Sequence, residues 1–247
     1  MKVLAIIPAR MGSSRFPGKP MESIMGTPMI EMVYKKVCES ELVHKTVVAT
    51  CDKVIFNHIK GIGGDSIMTS KLHQRASDRC SEAVEILESR NNEEFDVVLM
   101  VQGDEPLISK KMINASLTPF KKDKNINVVN LLGLIKNKEE FHDPNCIKVV
   151  CDENKNALFF SRQPIPSFNN LSFPFLGKQV CVIPFKKEFL KKYNQLSPTR
   201  YEICESIDML RVLEHGFSVK MVPTYEDSQA VDTINDLKKV EKILSES

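Results

Sequence analysis

The sequence predicts an α/β fold, with a mostly parallel sheet, helices on both faces of the sheet, and a small strand-rich lobe. In the first 120 residues, short apolar and β-branched runs alternate with amphipathic helical patterns. Near-continuous apolar strands of this kind are typical of parallel sheets that are buried on both faces. Residues 127–185 are instead rich in strand patterns and contain a proline-rich stretch from Pro164 to Pro174. This region predicts an antiparallel insertion or a lobe over the sheet.

Each predicted element follows a local pattern of apolar residues and turn residues. The predicted strands are Val3–Ile7, Thr46–Thr50, Ser66–Thr69, Val97–Val101, Asn127–Leu134, Ile147–Cys151, Ala157–Ser161, Gln179–Phe185 and Val219–Pro223. The predicted helices are Pro28–Ser40, Lys53–Ile59, Ser77–Ser89, Lys110–Lys121, Lys186–Gln195, Tyr201–His215 and Thr233–Ser245. We expect one domain over residues 1–247, with a core at about 1–125 and 215–247 and the lobe at about 126–214.

Composition and charge argue against several classes of protein. The formal net charge is +2, without the strong basic excess of most nucleic-acid-binding proteins, so we expect no nucleic-acid partner. The apolar run MKVLAII is short and ends at Pro8, so we expect neither a secretion signal nor a membrane segment. Seven cysteines without CxxC spacing are typical of reduced thiols. These features favour a cytoplasmic enzyme.

A basic loop follows the first predicted strand. Residues 5–20 read AIIPARMGSSRFPGKP and place Arg10, Arg15 and Lys19 after the strand. Ligands of open α/β sheets bind at the carboxyl ends of strands, and Arg, Lys and backbone N–H groups bind phosphates. Neither GxxxxGK[ST] nor GxGxxG is present. The loop therefore indicates a polyphosphate site of another kind, with an exposed basic connection as the alternative.

Acidic residues follow a second apolar strand and precede the last predicted helix. Residues 98–108 read VLMVQGDEPLI and end the strand with Asp104 and Glu105, while Asp232 stands just before Thr233. Mg²⁺ takes one or two carboxylates together with substrate phosphate oxygens, so Asp104 and Asp232 are candidate ligands. The alternatives are solvated loop acids and simple capping of the last helix by Thr233.

Two further basic residues lie in the strand-rich region. Arg162 follows the aromatic strand in FFSRQPIP, and Lys148 stands among apolar residues in CIKVVCD. A lysine in such a strand needs an anion, which a phosphate or a sugar carboxylate provides. An isolated surface arginine and a snorkelling lysine at a sheet edge are the alternatives. The five histidines show no metal-ligand spacing.

A series of motifs resembles one enzyme family. IIPARMGSSRFPGKP, GTPMI, VVAT, VQGDEPLI, IKVV, FSRQPIP, LRVLEHG and VDT occur in the order found in 3-deoxy-manno-octulosonate (Kdo) cytidylyltransferases. The resemblance runs from Lys2 to about Leu244. It implies a Rossmann-like nucleotidyltransferase fold, usually dimeric. It also implies an enzyme that uses CTP and Mg²⁺ to convert an acidic sugar, Kdo, into its CMP-sugar for surface polysaccharides such as lipopolysaccharide or capsule.

The resemblance also implies roles for individual positions. The implied nucleotide-binding residues are Arg10, Ser13, Ser14, Arg15, Lys19, Arg79 and Gln102. The implied metal ligands are Asp104 and Asp232, which with Lys19 form the implied catalytic set. The implied sugar-binding residues are Lys148, Arg162, Gln179 and Asp208.

Departures from the family pattern concentrate on the sugar positions. Gln179 replaces the family's sugar-contacting histidine, Ile183 replaces a tyrosine, Asp208 a glutamate and Met209 a glutamine. Residues 75–79, RASDR, replace the family's S-G-T-[DE]-R beside the nucleotide. These changes leave two alternatives open. One is a cytidylyltransferase for a different acid, such as amino-substituted Kdo or a nonulosonate, and the other is a nucleotide-binding regulatory protein without catalysis.

Overall fold

The computed structural model describes residues 1–12, 15–91, 93–167 and 176–246. The chain forms two compact units, the first from Met1–Asn114 and Asp227–Ser247 and the second from Ala115–Glu226. The assignment of the whole chain to one domain stays a prediction. No helix in the described ranges is long and apolar enough to cross a membrane.

Most predicted elements are confirmed, with ends that differ by one or two residues. The described strands are Val3–Ala9 (β1), Ser23–Ile24 (β2), Thr27–Pro28 (β3), Lys45–Thr50 (β4), Ser66–Met68 (β5), Val97–Val101 (β6), Val129–Leu134 (β7), Lys148–Cys151 (β8), Ala157–Ser161 (β9), Gly177–Val180 (β10), Val182–Lys186 (β11) and Lys220–Pro223 (β12). A 3₁₀-helix spans Lys19–Met21, and the described α-helices are Met29–Cys38 (α1), Lys53–Gly61 (α2), Ala76–Asn91 (α3), Lys110–Lys122 (α4), Lys138–His142 (α5), Lys187–Gln195 (α6), Arg200–Glu205 (α7), Asp208–Glu214 (α8) and Ile234–Ser245 (α9).

The first unit is built on a parallel sheet. Its strands lie in the order β6-β1-β4-β5, and Ile6 of β1 is opposite Val47 of β4 on one side and Met100 of β6 on the other. All seven residues of β1 are buried, although successive side chains point to opposite faces. Both faces of this strand are therefore covered, and helices α1, α2 and α3 contact the sheet. The predicted α/β fold with a parallel sheet is confirmed.

The second unit contains a mixed sheet in the order β12-β7-β10-β8-β9. Its only parallel pair among the described residues is β12 with β7, and the other pairs are antiparallel. The two edges of this sheet approach each other, because Ala157 N donates to Val219 O at 2.9 Å and Asn156 bridges to Lys220. The strand-rich pattern thus corresponds to a curled sheet whose ends nearly meet.

Two predicted elements are wrong because each is divided into two separate elements in the structure. The predicted strand Gln179–Phe185 is two strands, β10 and β11, which are separated at Cys181. The predicted helix Tyr201–His215 is two helices, α7 and α8, which are separated by Ser206 in a left-handed conformation (φ 55°). Ile203 of α7 is 66% exposed, whereas Leu210 of α8 is fully buried.

A tertiary contact explains the break between α7 and α8. The Arg162 guanidinium donates to the carbonyl oxygens of Glu205 at 2.8 Å and Ser206 at 3.3 Å. In a continuous helix these carbonyls would accept from N–H groups four residues later. Because an arginine distant in sequence binds them instead, apolar periodicity alone does not reveal where the helix ends.

Candidate active site

The candidate nucleotide site of the first unit begins where β1, β4 and β6 end. Because these strands are parallel neighbours, their carboxyl ends lie at one edge of the sheet. Met11, just after β1, donates its N–H to the Asp52 carboxylate at 2.8 Å, and Asp52 follows β4. Gly18 N donates to Met11 O at 2.9 Å, and Gly18 has a φ of 80°, which favours glycine. These contacts fold the basic loop back over the strand ends.

Lys19 lies between the two predicted metal ligands. It is the first residue of the 3₁₀-helix, and its Nζ donates to Asp104 Oδ2 at 2.6 Å and to Asp232 Oδ1 at 3.2 Å. A third hydrogen bond goes to the carbonyl oxygen of Val231 at 2.9 Å. Residues separated by more than 200 positions in the chain therefore meet around one ammonium group.

Backbone contacts hold the two carboxylates in place. Asp104 follows β6, and its carbonyl oxygen accepts from Val231 N at 2.9 Å, which joins the segment before α9 to the end of β6. Thr233 caps α9, since its hydroxyl accepts from Asp236 N and Asp236 Oδ2 accepts from Thr233 N. The capping expected from the sequence is thus present, and the Asp232 carboxylate is directed to Lys19 and to Arg15 Nη2 at 2.9 Å.

The charges around Lys19 are balanced in this structure. Burial alone would lower the pKa of Lys19, but the charges of Asp104 and Asp232 and their hydrogen bonds outweigh burial, so its pKa is raised. One cation thus contacts both carboxylates, which shows that their oxygens converge on a single point. No group of three or more His, Cys, Asp or Glu side chains with metal-ligand geometry occurs among the described residues. Two carboxylates fit a Mg²⁺ ion that takes its remaining ligands from water and phosphate.

The other predicted nucleotide-binding residues have different surroundings. Arg10 is exposed, Arg15 is half-exposed, and Gln102 is half-buried just after β6. Ser13 and Ser14 lie outside the described residues.

Arg79 is buried in the first unit. Its Nη1 donates to the Thr69 hydroxyl and to Ser70 O, and its Nη2 lies 3.7 Å from Cys51 Sγ. Arg79 therefore joins the ends of β4 and β5, which a sequence motif alone does not indicate. Its contact with a nucleotide stays a prediction.

In the second unit, the structure brings Lys148 and Arg162 together. Lys148 is fully buried, and its Nζ donates to the carbonyl oxygens of Asp143, Cys146 and Arg162 at 2.6–2.8 Å. These bonds use all three ammonium hydrogens. Burial lowers the pKa of Lys148, and its nearest charged neighbours oppose this only in part.

Glu205 completes this cluster. Its carboxylate accepts from the Ser161 hydroxyl and from Arg162 N, both at 2.8 Å. The Arg162 side chain in turn donates to the carbonyl oxygens of Glu205, Ser206 and Pro144. The predicted sugar residue Asp208 begins α8 two positions after Ser206, and its carbonyl oxygen accepts from Tyr193 at 3.1 Å.

The structure does not bring Gln179 to Lys148. Lys178 is opposite Lys148 in the β8–β10 pair, so the side chain of the next residue, Gln179, points to the other face of the sheet. There Gln179 Nε2 donates to Asn130 Oδ1 at 2.6 Å. Of the four predicted sugar residues, Lys148, Arg162 and Asp208 are thus grouped by contacts or chain proximity, and Gln179 is separate.

Sequence reasoning missed two residues that hold these groups in place. Asp52 could have been suspected, because it ends a strand and precedes a helix, but this pattern predicts a helix cap. Asn130 shows no local signal, since it acts through a contact with Gln179, which lies more than 40 positions away. Only the pairing of strands and helices brings them to their partners.

Comparisons with known proteins place the chain in a family. A family model described as cytidylyltransferase matches residues 4–233. The 3-deoxy-manno-octulosonate cytidylyltransferase of Geotalea uraniireducens (strain Rf4) is 39% identical over 251 residues, which cover 97% of this chain and 98% of that protein. The enzyme of the same description from Fusobacterium nucleatum is 39% identical over 250 residues, which cover 100% of this chain and 98% of that protein.

Solved structures agree with this placement. A CMP:2-keto-3-deoxy-manno-octonic acid synthetase complexed with CTP matches with a TM-score of 0.89 and 32% identity, over 100% of this chain and 99% of that chain. A cytidylyltransferase from Leptospira borgpetersenii matches with a TM-score of 0.66 and 19% identity, over 100% of this chain and 88% of that chain, and so supports the fold alone. The resemblance seen in the motifs is confirmed. The chain belongs to the cytidylyltransferase family and is a nucleotidyltransferase enzyme with a Rossmann-like fold.

Proposed function

We propose that this enzyme transfers CMP from CTP to the anomeric hydroxyl of a 3-deoxy-2-ulosonic acid, with Kdo as the substrate, and releases pyrophosphate. The proposal is carried by one observation: Lys19, Asp104 and Asp232 meet at the strand ends of the parallel sheet. Relatives at 39% identity over nearly the full chain are described as 3-deoxy-manno-octulosonate cytidylyltransferases, and this supports Kdo as the acceptor. The product suits the synthesis of surface polysaccharides such as lipopolysaccharide.

The basic loop is proposed to hold the CTP triphosphate. Both reactants are anions, and one pair of unit charges at ~4 Å repels by roughly 4 kcal/mol at an effective dielectric constant of about 20. Arg10 is exposed and Arg15 is half-exposed, so their guanidinium groups can reach phosphate oxygens. Lys19 is held at the sheet edge by Asp104 and Asp232, where it would stabilise charge on the transferred and leaving phosphates. Ser13, Ser14, Gln102 and Arg79 are the other proposed nucleotide-binding residues.

Asp104 and Asp232 are proposed to hold a Mg²⁺ ion. When bound, such an ion neutralises phosphate charge and lowers the pKa of the attacking hydroxyl. The backbone bond from Val231 to Asp104 O and the cap of α9 at Thr233 keep the two carboxylates together. The protein thus contributes mainly positions and charges, as expected for phosphoryl and nucleotidyl transfer.

Arg162 is proposed to bind the acidic group of the sugar. Its guanidinium has five N–H groups, and three of them donate to the carbonyl oxygens of Pro144, Glu205 and Ser206. Among the described residues, none accepts from the other two N–H groups, which leaves them for a ligand carboxylate. Lys148 has no hydrogen left in this arrangement, so we propose that it acts on the sugar by holding Arg162 O. Gln179 and Asp208 complete the proposed sugar-binding set.

We also propose that the enzyme is a cytoplasmic homodimer. CTP as a substrate and seven free cysteines support the cytoplasm. Exposed apolar side chains in the second unit support self-association, namely Leu158 at 61%, Ile203 at 66% and Tyr201 at 48%. Light scattering coupled to size exclusion tests the dimer, and a monomer at all concentrations would exclude it.

A pyrophosphate-release assay with CTP, Mg²⁺ and Kdo tests the function. We expect turnover that depends on all three components and that stops when EDTA removes the metal. If an amino-substituted or nine-carbon acid is turned over faster than Kdo, that acid and not Kdo is the substrate. That outcome is the second candidate function, and the glutamine at position 179 and the buried Ile183 and Met209 favour it. CTP binding without turnover of any acid would instead indicate a regulatory nucleotide-binding protein.

A further inference from the structure

Asp52 stands at the start of a helix, but its side chain does not cap that helix. It directly precedes α2 and has the extended backbone of an N-cap residue (φ −109°, ψ 120°), yet among the described residues its side chain makes no capping hydrogen bond. Instead, Asp52 Oδ2 accepts from Met11 N at 2.8 Å, and Cys51 Sγ lies 3.6 Å from the same oxygen. The carboxylate therefore binds the segment after β1 rather than its own helix.

The backbone of Asp52 is fixed by other contacts. Asp52 N donates to the Thr50 hydroxyl at 3.1 Å, and Asp52 O accepts from Phe56 N at 3.1 Å, which is a helical bond of α2. The helix packs against β4 and β5 and buries Ile55 and Ile59. Because β4 lies between β1 and β5 in the sheet, the carboxylate of Asp52 starts from a well-held position next to the end of β1.

Met11 uses both of its backbone polar groups to close the basic loop. Its N–H donates to Asp52, and its carbonyl oxygen accepts from Gly18 N at 2.9 Å. The second bond joins the two ends of residues 11–18, and Lys19 follows directly. The contact with Asp52 therefore holds the base of the whole loop, including the position from which Lys19 extends.

The described ion pairs of the loop go to the proposed metal ligands. Asp104 and Asp232 both accept from Lys19, and Asp232 also accepts from Arg15. In the proposed function these carboxylates hold a metal ion and the two cations face phosphate, so these ion pairs are exchanged when the substrate binds. The hydrogen bond to Met11 N involves neither carboxylate and can persist in both states.

We propose that Asp52 is a positioning residue for nucleotide binding, because its carboxylate holds Met11 N and so keeps the basic loop in the shape that receives the triphosphate. This inference rests on the proposed function, in which the loop binds CTP. A loop that is already held in place loses less conformational freedom when its ligand binds. Without the bond to Met11, the nucleotide itself would have to order the loop, which lowers its affinity by ~10- to 100-fold.

Two substitutions separate the hydrogen bond from the rest of the side chain. Asp52→Asn keeps an acceptor oxygen at the same distance along the side chain. Asp52→Ser is a good N-cap for α2, but its hydroxyl is one bond shorter and does not reach Met11 N. We expect the dissociation constant for CTP, measured by calorimetry with Mg²⁺, to rise ~10- to 100-fold in the serine variant and to stay within ~3-fold in the asparagine variant. Asp123→Ser, at an exposed position of the second unit, is the matched control.

Steady-state kinetics distinguish positioning from a general loss of folding. In Asp52→Ser the KM for CTP should rise while the KM for the sugar, measured at saturating CTP, stays constant. The melting temperature should remain close to that of the unmodified protein, because serine can cap α2. Equal increases in both KM values, or a loss of CTP affinity that only follows a loss of folded protein, would overturn the inference.

The outcomes also distinguish this inference from the function on which it rests. Because the CTP titration needs no sugar, failure of the transfer reaction and failure of the positioning role are separate results. If the unmodified protein binds no CTP, the proposed function fails and the inference falls with it. If Kdo is turned over but Asp52→Ser binds CTP as tightly as the unmodified enzyme, only the inference is overturned. It is also overturned if Asp52→Asn loses as much affinity as Asp52→Ser, since the charge of the carboxylate and not its hydrogen bond would then matter.

Discussion

Two lysines of this chain, Lys19 and Lys148, are both removed from solvent but have opposite surroundings. Lys19 contacts two carboxylate side chains, and its pKa is raised. Lys148 contacts three backbone carbonyl oxygens, and burial lowers its pKa. Carboxylate side chains can exchange one cation for another, whereas backbone carbonyls are part of the fold. We therefore propose that the Lys19 cluster takes part in the chemistry, whereas Lys148 itself supports the backbone around Arg162.

The largest effect on activity is expected from Asp104→Asn. The amide keeps the size of the side chain but removes one of two charges that converge on Lys19, so we expect kcat/KM to fall ~1000-fold, or about 4 kcal/mol of transition-state stabilisation. Steady-state pyrophosphate release at saturating Mg²⁺ measures this. Glu85→Gln, at an exposed position of α3, is the control and should behave like the unmodified enzyme. Near-normal turnover of Asp104→Asn would exclude a metal held by both carboxylates.

The largest effect on stability is expected from Lys148→Met. This change leaves three carbonyl oxygens without their donor, at ~1–3 kcal/mol each, and the loss of a buried charge offsets part of that cost. We expect a net loss of about 3 kcal/mol, or roughly 6–12 °C in melting temperature, by thermal denaturation. The exposed Lys138→Met is the control. An unchanged melting temperature would show that Lys148 is not structural.

A smaller effect on both activity and stability is expected from Glu205→Gln. The amide can accept only one of the two hydrogen bonds from Ser161 and Arg162 N, so we expect a loss of about 1 kcal/mol in stability. Because Arg162 then shifts, the KM for the sugar should rise several-fold while the KM for CTP stays constant. Glu188→Gln, at an exposed position of α6, is the control. Equal changes in both KM values would argue against a role through Arg162.

The smallest expected effect is a pH dependence of protein stability that arises from Glu82. Burial would raise the pKa of Glu82, but hydrogen bonds from Ser70 N at 2.8 Å and His73 at 2.5 Å outweigh it, so the pKa is lowered. The ionised Glu82 carboxylate therefore stabilises the folded protein above the unfolded pKa of about 4.3. This stabilisation is lost as the pH falls through the folded pKa. Urea unfolding should show that the free energy of unfolding at pH 6 is larger for the unmodified protein than for Glu82→Gln. The difference between the two proteins should disappear in acid. A gap that widens in acid would contradict this.

Much of the fold could be predicted from the sequence because its signals are local. The apolar strands β1, β4 and β6 and the amphipathic helices between them have patterns that depend on near neighbours alone. The break at Ser206 could not be predicted, because Arg162, 44 positions away, binds the carbonyls there. Its left-handed residue is a serine, which gives no turn signal of the kind that glycine gives.

In the candidate site, too, local sequence signals could be predicted and distant contacts could not. Arg10, Arg15, Lys19 and Asp104 stand at strand ends, and the topology of a parallel sheet brings strand ends together. The sequence also suggested an anion for Lys148, whereas the structure gives it backbone carbonyls, because the strand pairing of β8 with β9 places Arg162 O beside it. Its predicted contact with the sugar remains untested.

The most direct test of the difference between the two lysines is kcat/KM for CTP in Lys19→Met, measured with Mg²⁺ present and related to the melting temperature of the same sample. Removing a cation that stabilises developing charge should lower kcat/KM by ~100-fold or more. The melting temperature should stay within about 3 °C of the unmodified protein, since the metal can balance Asp104 and Asp232. A variant that keeps its activity, or that loses activity only because it unfolds, would contradict the assignment of chemistry to the Lys19 cluster.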